Sequence, residues 1–425
     1  MKKQKIVFIA HYFPPINSSG AKRVEALSAI FSQYGREVTV ITTQKLSGVH
    51  GDFTEPLPVG VDVIHLGNFG IRAEPKVTVG IQEPMYLSKP SFKRKIKDLV
   101  MGLMGQIPDP RLFFAFGFVS PFLDKNAKKA LLDADVIIGS SPPWTMILAA
   151  YLASRRFKKK LVFDIRDQFS NCHEMPGSRI SKKLEFIIDK YLCKRSGALV
   201  AISSPMKEYY SGMAENTHVI MNGYDSERMN VEGVVDGGGD EIVIRYMGIV
   251  SPGRVPKEFI SALALFLKNE KEFPKKIKIE FYGHADLVLK FLEVNYPELI
   301  RYFFFYSPVP YIESMRLIKS CDYALFAETS DKSSLSAQGI LTTKLFEYIG
   351  SGSTILANIS KNTLAGETIE KAGSHHILEN SMEGFLLLLN GKDFWSPAKR
   401  PVNDFGKSLS RQEQAKQYLD VIDGL

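Results

Sequence analysis

The sequence predicts an α/β protein built from two doubly wound parallel-sheet domains. Short runs of β-branched and other apolar residues alternate with longer amphipathic stretches, a pattern typical of βαβ units. The alternation stops in a Gly-rich polar segment, Val231–Asp240, and restarts at Ile242. With 425 residues, the chain is about three times as long as a typical domain. We therefore expect a first domain over residues 1–225, a second over 240–404, and a cleft between them.

The sequence places seven strands in the first domain. The first of them, Ile6–Ala10, precedes a loop rich in Pro and Ser and then a helix over about Ala21–Tyr34. Val24, Leu27 and Phe31 share one face of that helix. The other six strands are Val38–Thr42, Val61–Leu66, Val136–Gly139, Leu161–Asp164, Leu199–Ile202 and His218–Met221.

Five strands are predicted in the second domain. Helices are expected near Glu258–Lys268, over Thr343–Ile349 and over Arg411–Ile422. The strands are Ile242–Met247, Ile277–Tyr282, Phe303–Tyr306, Tyr323–Ala327 and Thr354–Ala357. Ligands of open parallel sheets bind at the carboxyl ends of the strands, so the loops that follow strands are the candidates for function.

Composition excludes several classes of protein. Hydrophobic residues make up 45% and charged residues 24% of the chain, as in an ordinary globular protein. The cysteines, Cys172, Cys193 and Cys321, match neither a disulfide framework nor a zinc site, which favours a reducing compartment. The apolar run near the N-terminus is too short for a signal peptide, and no apolar stretch is long enough to span a bilayer. We therefore expect a cytoplasmic protein.

The net charge of +8 is concentrated in the first half of the chain. Residues 1–230 contain 32 Lys and Arg but only 21 Asp and Glu. The excess lies in Lys93–Lys97 and Arg155–Lys160, which form either a solvated face or a surface for phosphate-rich partners. Nucleic acid is not expected, because no nucleic-acid-binding motif accompanies the charge. The amphipathic segment Phe92–Leu103 is predicted to rest on an anionic membrane.

Two loops of the first domain carry candidate functional residues. The loop after the first strand, His11–Ala21, ends at a helix N-terminus, where backbone N–H groups near Gly20 favour an anion and Arg23 would add a cation. The alternative is that Ser19 only caps the helix. This loop lacks the G-x-G-x-x-G fingerprint of nicotinamide enzymes.

The second loop follows the Leu161–Asp164 strand. Asp164, Arg166 and Asp167 stand at the carboxyl end of this strand, where charges are costly to bury unless they are paired. They form either a structural ion-pair lock or, through Arg166 or Asp167, a contact with substrate hydroxyls or phosphate.

Two segments of the second domain carry more chemistry. Gly248 directly after a strand permits close approach of the backbone to a ligand, and Arg254 and Lys257 are placed to contact a diphosphate. The alternative is that both cations are merely solvated. Lys344 and Glu347 share one face of a helix, and the carboxylate suits a ribose diol. A surface Lys–Glu pair is the structural alternative.

Taken together, these motifs resemble the retaining glycosyltransferases of family 4. Within the family, the chain is most similar to bacterial enzymes that build O-antigen, capsule or other surface polysaccharide. The resemblance spans nearly the whole chain, with the motifs in the correct order. They are His11–Ala21, Gly35–Thr42, Asp164–Phe169, Val219–Asp225, Tyr246–Lys257 and Lys344–Ala357.

The resemblance implies a GT-B fold, with two Rossmann-like domains. The second would bind a nucleotide-sugar, with UDP as the expected nucleotide, and the first a glycan or lipid-diphosphate-linked acceptor. Arg254 and Lys257 would contact the donor diphosphate, Glu347 the ribose, and Gly20 the phosphates or the sugar. Residues 405–425 would return to the first domain. Thr342 and Thr343 would contact the donor sugar, because Gly339, beside Gln338, stands where the family has a further glutamate.

The expected reaction is metal-independent transfer, since no Asp-x-Asp metal site is evident and two cations can stabilise the leaving diphosphate. The family resemblance implies that the anomeric configuration is retained. The acceptor proton would pass to the leaving phosphate or to His11 or Asp167. No separate cofactor is expected. The protein would lie in the cytoplasm, peripherally on the inner face of the plasma membrane. The alternatives are a nucleotide-sugar epimerase, a non-catalytic scaffold of polysaccharide assembly and, third, a nicotinamide oxidoreductase.

Overall fold

Two parallel β-sheets organise the chain, which confirms the predicted fold class. The structure is a computed structural model. It describes residues 3–15, 19–42, 56–66, 119–172, 178–230, 240–270, 272–328, 341–373, 375–397 and 401–425. The predicted segments Lys93–Lys97 and Phe92–Leu103, most of the linker Val231–Asp240, and Gln338 and Gly339 lie outside these residues.

The first unit contains a seven-stranded sheet in the order β3-β2-β1-β4-β5-β6-β7, and all its neighbouring strands pair in parallel. The strands are β1 (Lys5–Ala10), β2 (Glu37–Thr42), β3 (Val61–His65), β4 (Val136–Ser141), β5 (Lys160–Ile165), β6 (Ala198–Ala201) and β7 (Thr217–Val219). The helices are α1 (Ser19–Gln33), α2 (Ser120–Leu123), α3 (Lys125–Asp133), α4 (Thr145–Phe157), α5 (Arg179–Cys193) and α6 (Ser204–Ser211).

The second unit contains a six-stranded parallel sheet in the order β10-β9-β8-β11-β12-β13. Its strands are β8 (Glu241–Met247), β9 (Lys276–Tyr282), β10 (Phe303–Tyr306), β11 (Tyr323–Ala327), β12 (Thr354–Asn358) and β13 (Ile377–Glu379). The helices that follow are α7 (Lys257–Glu270), α8 (Asp286–Asn295), α9 (Tyr311–Ser320), α10 (Thr343–Ser351), α11 (Leu364–Ala372), α12 (Met382–Asn390), α13 (Asp404–Ser408) and α14 (Arg411–Asp423).

Each sheet is buried by apolar residues on its faces. Alternate residues of β1 point to opposite sides, so Val7 and Ile9 join one cluster of the first unit while Ile6 and Phe8 join the other. The second unit has a core of its own around β8, β9 and α7. The predicted strands all appear, with ends within two residues. β13, whose three residues are only half buried, was missed by the sequence analysis.

The C-terminal helix ends in the first unit. Residues 414–425 group with the first sheet, where Tyr418 is buried and its ring lies 5.6 Å from that of Phe31. The sequence places this return at residue 405, whereas residues 404–413 group with the second unit. No helix among the described residues is both long enough and apolar enough to cross a membrane.

Candidate functional site

The carboxyl edge of the first sheet contains a buried ion pair. Asp164, in β5, is fully buried and accepts hydrogen bonds from Arg23 Nε (3.0 Å), Arg23 Nη2 (2.9 Å) and Ser140 Oγ (2.9 Å). The remaining terminal nitrogen of Arg23 donates to the Met221 carbonyl oxygen at 2.8 Å. Arg23 was predicted to add a cation to an anion site. The structure corrects this, because its guanidinium is already used to neutralise Asp164.

Arg166 is held by two backbone carbonyl oxygens. Its Nε donates to the carbonyl oxygen of Ser141 at 2.8 Å, and its Nη1 donates to that of Gly20. A Cβ on Gly20 would lie 3.1 Å from ring carbons of Tyr12, so the ring packs closely on this turn. The guanidinium therefore joins the loop after β4 to the beginning of α1. Of the two interpretations of the Asp164–Phe169 segment, the structural lock describes Asp164 and Arg166.

His11 and Asp167 differ in exposure. His11 is half buried, its ring makes an edge contact with that of Tyr12 (4.9 Å between centroids), and its carbonyl oxygen accepts a hydrogen bond from Thr42 Oγ1 at 2.7 Å. Asp167 is exposed, unlike its neighbours in sequence. Their predicted roles as proton acceptors stay predictions.

A second buried carboxylate supports the loop after β5. Asp189 of α5 accepts hydrogen bonds from Ser170 Oγ at 2.8 Å and Tyr210 Oη at 3.4 Å, and Cys193 Sγ donates to it at 3.4 Å. Burial raises the pKa of Asp189 to about 6. Sequence analysis missed this network, because Asp189 lies inside an amphipathic helix, where an acidic residue normally faces water.

The carboxyl edge of the second sheet begins with two glycines on neighbouring strands. Gly248 follows β8 with φ of +95°, and a Cβ there would meet no atom within 4 Å. Gly283 follows β9 with φ of +126°, and a Cβ there would lie 2.7 Å from the Gly248 carbonyl oxygen. Both conformations favour glycine, and the backbone at Gly248 borders open space. The chain reverses its strand order between β8 and β11, the point where doubly wound sheets bind ligands.

Arg254 lies at this edge and keeps most of its hydrogen-bonding capacity. It ends a 3-10 turn, Pro252–Arg254, and its Nε donates to Glu328 Oε1 at 2.6 Å. Glu328 follows β11, and its second oxygen is buried without a hydrogen-bond partner among the described residues. Glu328 thus orients the guanidinium through one nitrogen, while the two terminal nitrogens form no bond within the part of the chain described.

Lys344 is a half-buried basic residue of this region. Its Nζ donates to Tyr246 Oη at 2.6 Å and lies 4.0 Å from the centroid of the same ring. Burial, and then the charge of Arg254, lower the pKa of Lys344 to about 7, although Glu328 and Glu347 oppose the shift. The predicted alternative, a surface Lys–Glu pair between Lys344 and Glu347, stays a prediction.

Glu347 and the beginning of α10 complete the arrangement. Glu347 is half buried, and Tyr311 of α9 lies near it, since burial and then the Glu347 charge raise the pKa of Tyr311. Thr342 is the N-cap of α10, but its hydroxyl makes no capping bond and is buried without a partner in the described structure. Thr343 is half buried.

Two of the predicted residues, Arg254 and Glu347, lie close enough to Lys344 for their charges to act on it. Lys257 is different: it begins α7, it is exposed, and its ammonium makes no ion pair with any described residue. Its predicted contact with a diphosphate stays a prediction. Glu328 and Tyr246 were missed. Glu328 was recognisable, because a carboxylate directly after an apolar strand marks the functional edge of a parallel sheet.

Comparison with solved structures defines the fold. HepE from Anabaena, in complex with UDP, aligns over 99% of this chain and 100% of its own, with a TM-score of 0.61 and 13% identity. Sucrose-phosphate synthase from Thermosynechococcus elongatus aligns over 99% of both chains, with a TM-score of 0.62 and 13% identity. This chain has the GT-B fold.

The same fold also occurs in a different class of enzyme. The UDP-GlcNAc 2-epimerase from Methanocaldococcus jannaschii aligns over 99% of this chain and 100% of its own, with a TM-score of 0.52 and 13% identity. No protein-family model matches the sequence, and no curated protein is significantly similar to it. Within the described ranges, no three His, Cys, Asp or Glu side chains come together as potential metal ligands.

Proposed function

We propose that this protein is a glycosyltransferase that uses a nucleoside-diphosphate sugar as donor. The observation that carries the proposal is the unused binding capacity at the carboxyl edge of the second sheet. Among the described residues, the two terminal nitrogens of Arg254 form no hydrogen bond, Lys344 Nζ is bonded to a neutral hydroxyl, and the buried oxygens Glu328 Oε2 and Thr342 Oγ1 have no partner. Buried polar groups are normally satisfied, so the two oxygens favour a ligand with hydroxyl donors, and the two cations favour one with anionic groups.

The two cations suit the diphosphate of such a donor. A guanidinium anchored through Nε presents its terminal N–H groups to phosphate oxygens, and an ammonium acts as a point charge beside it. When the glycosidic bond breaks, negative charge develops on the leaving diphosphate, and preorganised cations in a region of low dielectric stabilise it. Glu347 would then accept hydrogen bonds from the ribose hydroxyls, and Thr343 would contact the sugar.

The fold supports a nucleotide-sugar ligand through its relatives. One GT-B neighbour was solved with UDP bound, and UDP is therefore the donor nucleotide that we propose. We propose further that transfer retains the anomeric configuration and needs no metal, as in family 4, and that the acceptor is a growing bacterial surface glycan or its lipid-diphosphate carrier. His11 and Asp167 in the first unit are the proposed acceptors of the hydroxyl proton.

The experiment is a thermal-shift screen with UDP, GDP, ADP, CMP and NAD. One nucleoside diphosphate at about 100 times its Kd should stabilise the protein by about 2.7 kcal/mol. Glu347→Ala should abolish the shift, whereas Glu293→Ala, which removes an exposed carboxylate of α8 in the same unit, should leave it unchanged. A shift with NAD alone would contradict the proposal.

The epimerase remains the second candidate, because an enzyme of that class shares the fold. The two activities differ in their products. A glycosyltransferase releases nucleoside diphosphate in step with glycan formation, whereas an epimerase yields a new nucleotide-sugar without an acceptor. Chromatography of the reaction mixture with and without acceptor separates them. A ligand that binds without any turnover would favour the scaffold.

A further inference from the structure

Helix α5 has an apolar stripe that faces solvent. Ile180, Leu184, Ile187 and Tyr191 recur at intervals of four, three and four residues, so they fall within an arc of about 60° on the helix. Their exposed fractions are 75%, 47%, 53% and 48%, respectively. Single exposed apolar residues are normal on a soluble protein, but a continuous stripe of four marks a surface that binds something.

The exposed charges that the structure describes on this helix all have one sign. Every charged residue exposed on α5 or directly after it is basic: Arg179, Lys183, Lys190, Lys194 and Arg195. The two acidic residues of the helix, Glu185 and Asp189, are buried on its opposite face. Negative charge on this helix is therefore confined to the side that packs on the sheet, and the exposed side combines apolar and cationic groups only.

The neighbouring helix extends the same surface. Tyr151 of α4 contacts Tyr191 of α5, with the two hydroxyl oxygens 3.5 Å apart and the ring centroids 6.2 Å apart. Exposed residues of α4 near this contact are Leu152, Arg155 and Arg156, again apolar or basic. Residues 151–156 of α4 and the exposed side of α5 together form what we call the basic-apolar face.

We propose that the basic-apolar face docks on an anionic lipid bilayer. The chemistry of the face selects this partner. Apolar side chains can enter the boundary between headgroups and acyl chains, while the flanking lysines and arginines contact anionic headgroups. Lysine and arginine are also able to reach the headgroups from beside an apolar stripe, because their aliphatic stems are long.

Helix α5 is capped at its N-terminus and bonded on its buried side. Ser178 caps α5 by accepting a hydrogen bond from the backbone N–H of Ser181. On the buried side, Asp189 bonds the loop after β5, and Lys182 pairs with Glu185 at 2.8 Å. The bonds made by Asp189 and the exposed stripe thus lie on opposite sides of the same helix. This inference is independent of the donor site in the second unit.

The experiment measures co-sedimentation of the full-length protein with vesicles of phosphatidylcholine alone or with about 30% phosphatidylglycerol. Binding is expected only to the anionic vesicles, and raising NaCl to about 0.5 M should weaken it. Ile180→Ser with Ile187→Ser should reduce the partition coefficient at least about tenfold. The matched control, Val294→Ser with Leu387→Ser, removes equally exposed apolar residues of the second unit and should bind as the parent does.

Charge and depth are tested separately. Lys183→Glu with Lys190→Glu should abolish binding, whereas Lys268→Glu with Lys290→Glu, exposed in the second unit, should not. Leu184→Trp should show a blue-shifted emission that brominated lipids quench, and Val294→Trp should not. Both native tryptophans, Trp144 and Trp395, are buried and give a constant background.

Three results would overturn the proposal. The first is absence of binding to anionic vesicles at low salt, and the second is equal loss of binding in the control variants. The third is a dimer in light scattering that Ile187→Ser dissociates, which would assign the face to a second copy of this chain.

Discussion

The carboxyl edges of the two sheets use their charged residues in opposite ways. In the first unit, Arg23 and Asp164 neutralise each other's charge, and Arg166 donates hydrogen bonds to backbone carbonyl oxygens. In the second unit, within the described part of the chain, the Arg254 side chain makes one bond and the Lys344 ammonium has a phenol as its hydrogen-bond partner. Charged residues at the carboxyl edge of the first sheet thus stabilise the fold, whereas those at the carboxyl edge of the second sheet remain available to bind a ligand. The two edges differ in whether groups of the protein itself occupy the hydrogen-bond donors of the cations.

The largest effect on stability should come from breaking the Arg23–Asp164 pair at the carboxyl edge of the first sheet. Asp164→Ala leaves the buried Arg23 guanidinium without its counter-charge, and we expect the first unit to lose about 3–5 kcal/mol of unfolding free energy. Urea denaturation followed by circular dichroism measures it. The control is Glu37→Ala, which removes the partly exposed Lys5–Glu37 pair and should cost less than about 1 kcal/mol. A loss below 1 kcal/mol for Asp164→Ala would place this pair among ordinary surface pairs.

The pH dependence of the first unit sharpens the comparison. The folded state holds the Asp189 proton up to a pH of about 6, but the unfolded state releases it near 3.8. The contribution of Asp189 to the free energy of unfolding is therefore fully present below about pH 4. It decreases by up to about 3 kcal/mol as the pH rises through about 6. Asp189→Asn should lack that loss. Glu215→Gln, at an exposed carboxylate, should keep the parent profile, and parallel profiles for both variants would refute the assignment.

At the binding edge, the same kind of substitution should change affinity rather than fold. Lys344→Met removes a cation that is costly to bury, so the unfolding free energy should not fall, while affinity for the nucleoside diphosphate should drop about tenfold or more. Isothermal titration calorimetry measures the affinity. Lys268→Met is the exposed control. Loss of stability together with unchanged affinity would make Lys344 a structural residue like Arg23.

The smallest effect is expected at Lys257. Its side chain is exposed, so Lys257→Met should weaken nucleotide binding only about two- to threefold. The same titration decides it. A loss as large as that of Lys344→Met would show that α7 contributes a diphosphate contact, as the family resemblance implies.

The sequence predicted the fold better than the site. β11 is predicted to the residue, because Tyr323–Ala327 is a continuous apolar run between polar neighbours. β13 was missed because three half-buried residues carry no periodicity. At the sites, Arg254 and Glu347 were predicted from their positions after a strand and on a helix, and their roles stay predictions.

What the sequence could not show is which charges pair. Arg23 and Asp164 are 141 residues apart, and Arg254 and Glu328 are 74 apart. Both pairs depend on the strand order, which brings β5 near α1 and β11 beside β8. Whether a cation pairs with a carboxylate of the protein therefore depends on the folded structure and is not apparent from the sequence.

The most direct test of the binding edge is calorimetric titration of UDP at pH 8 in two buffers with different ionisation heats. With a pKa of about 7, Lys344 is mostly neutral at pH 8 in the free protein, and a neighbouring diphosphate raises its pKa. The account predicts saturable binding with uptake of close to one proton, and Lys344→Met should bind more weakly with no uptake. Binding without proton uptake in the parent protein, or the same uptake in the variant, would contradict the claim that Lys344 meets the diphosphate.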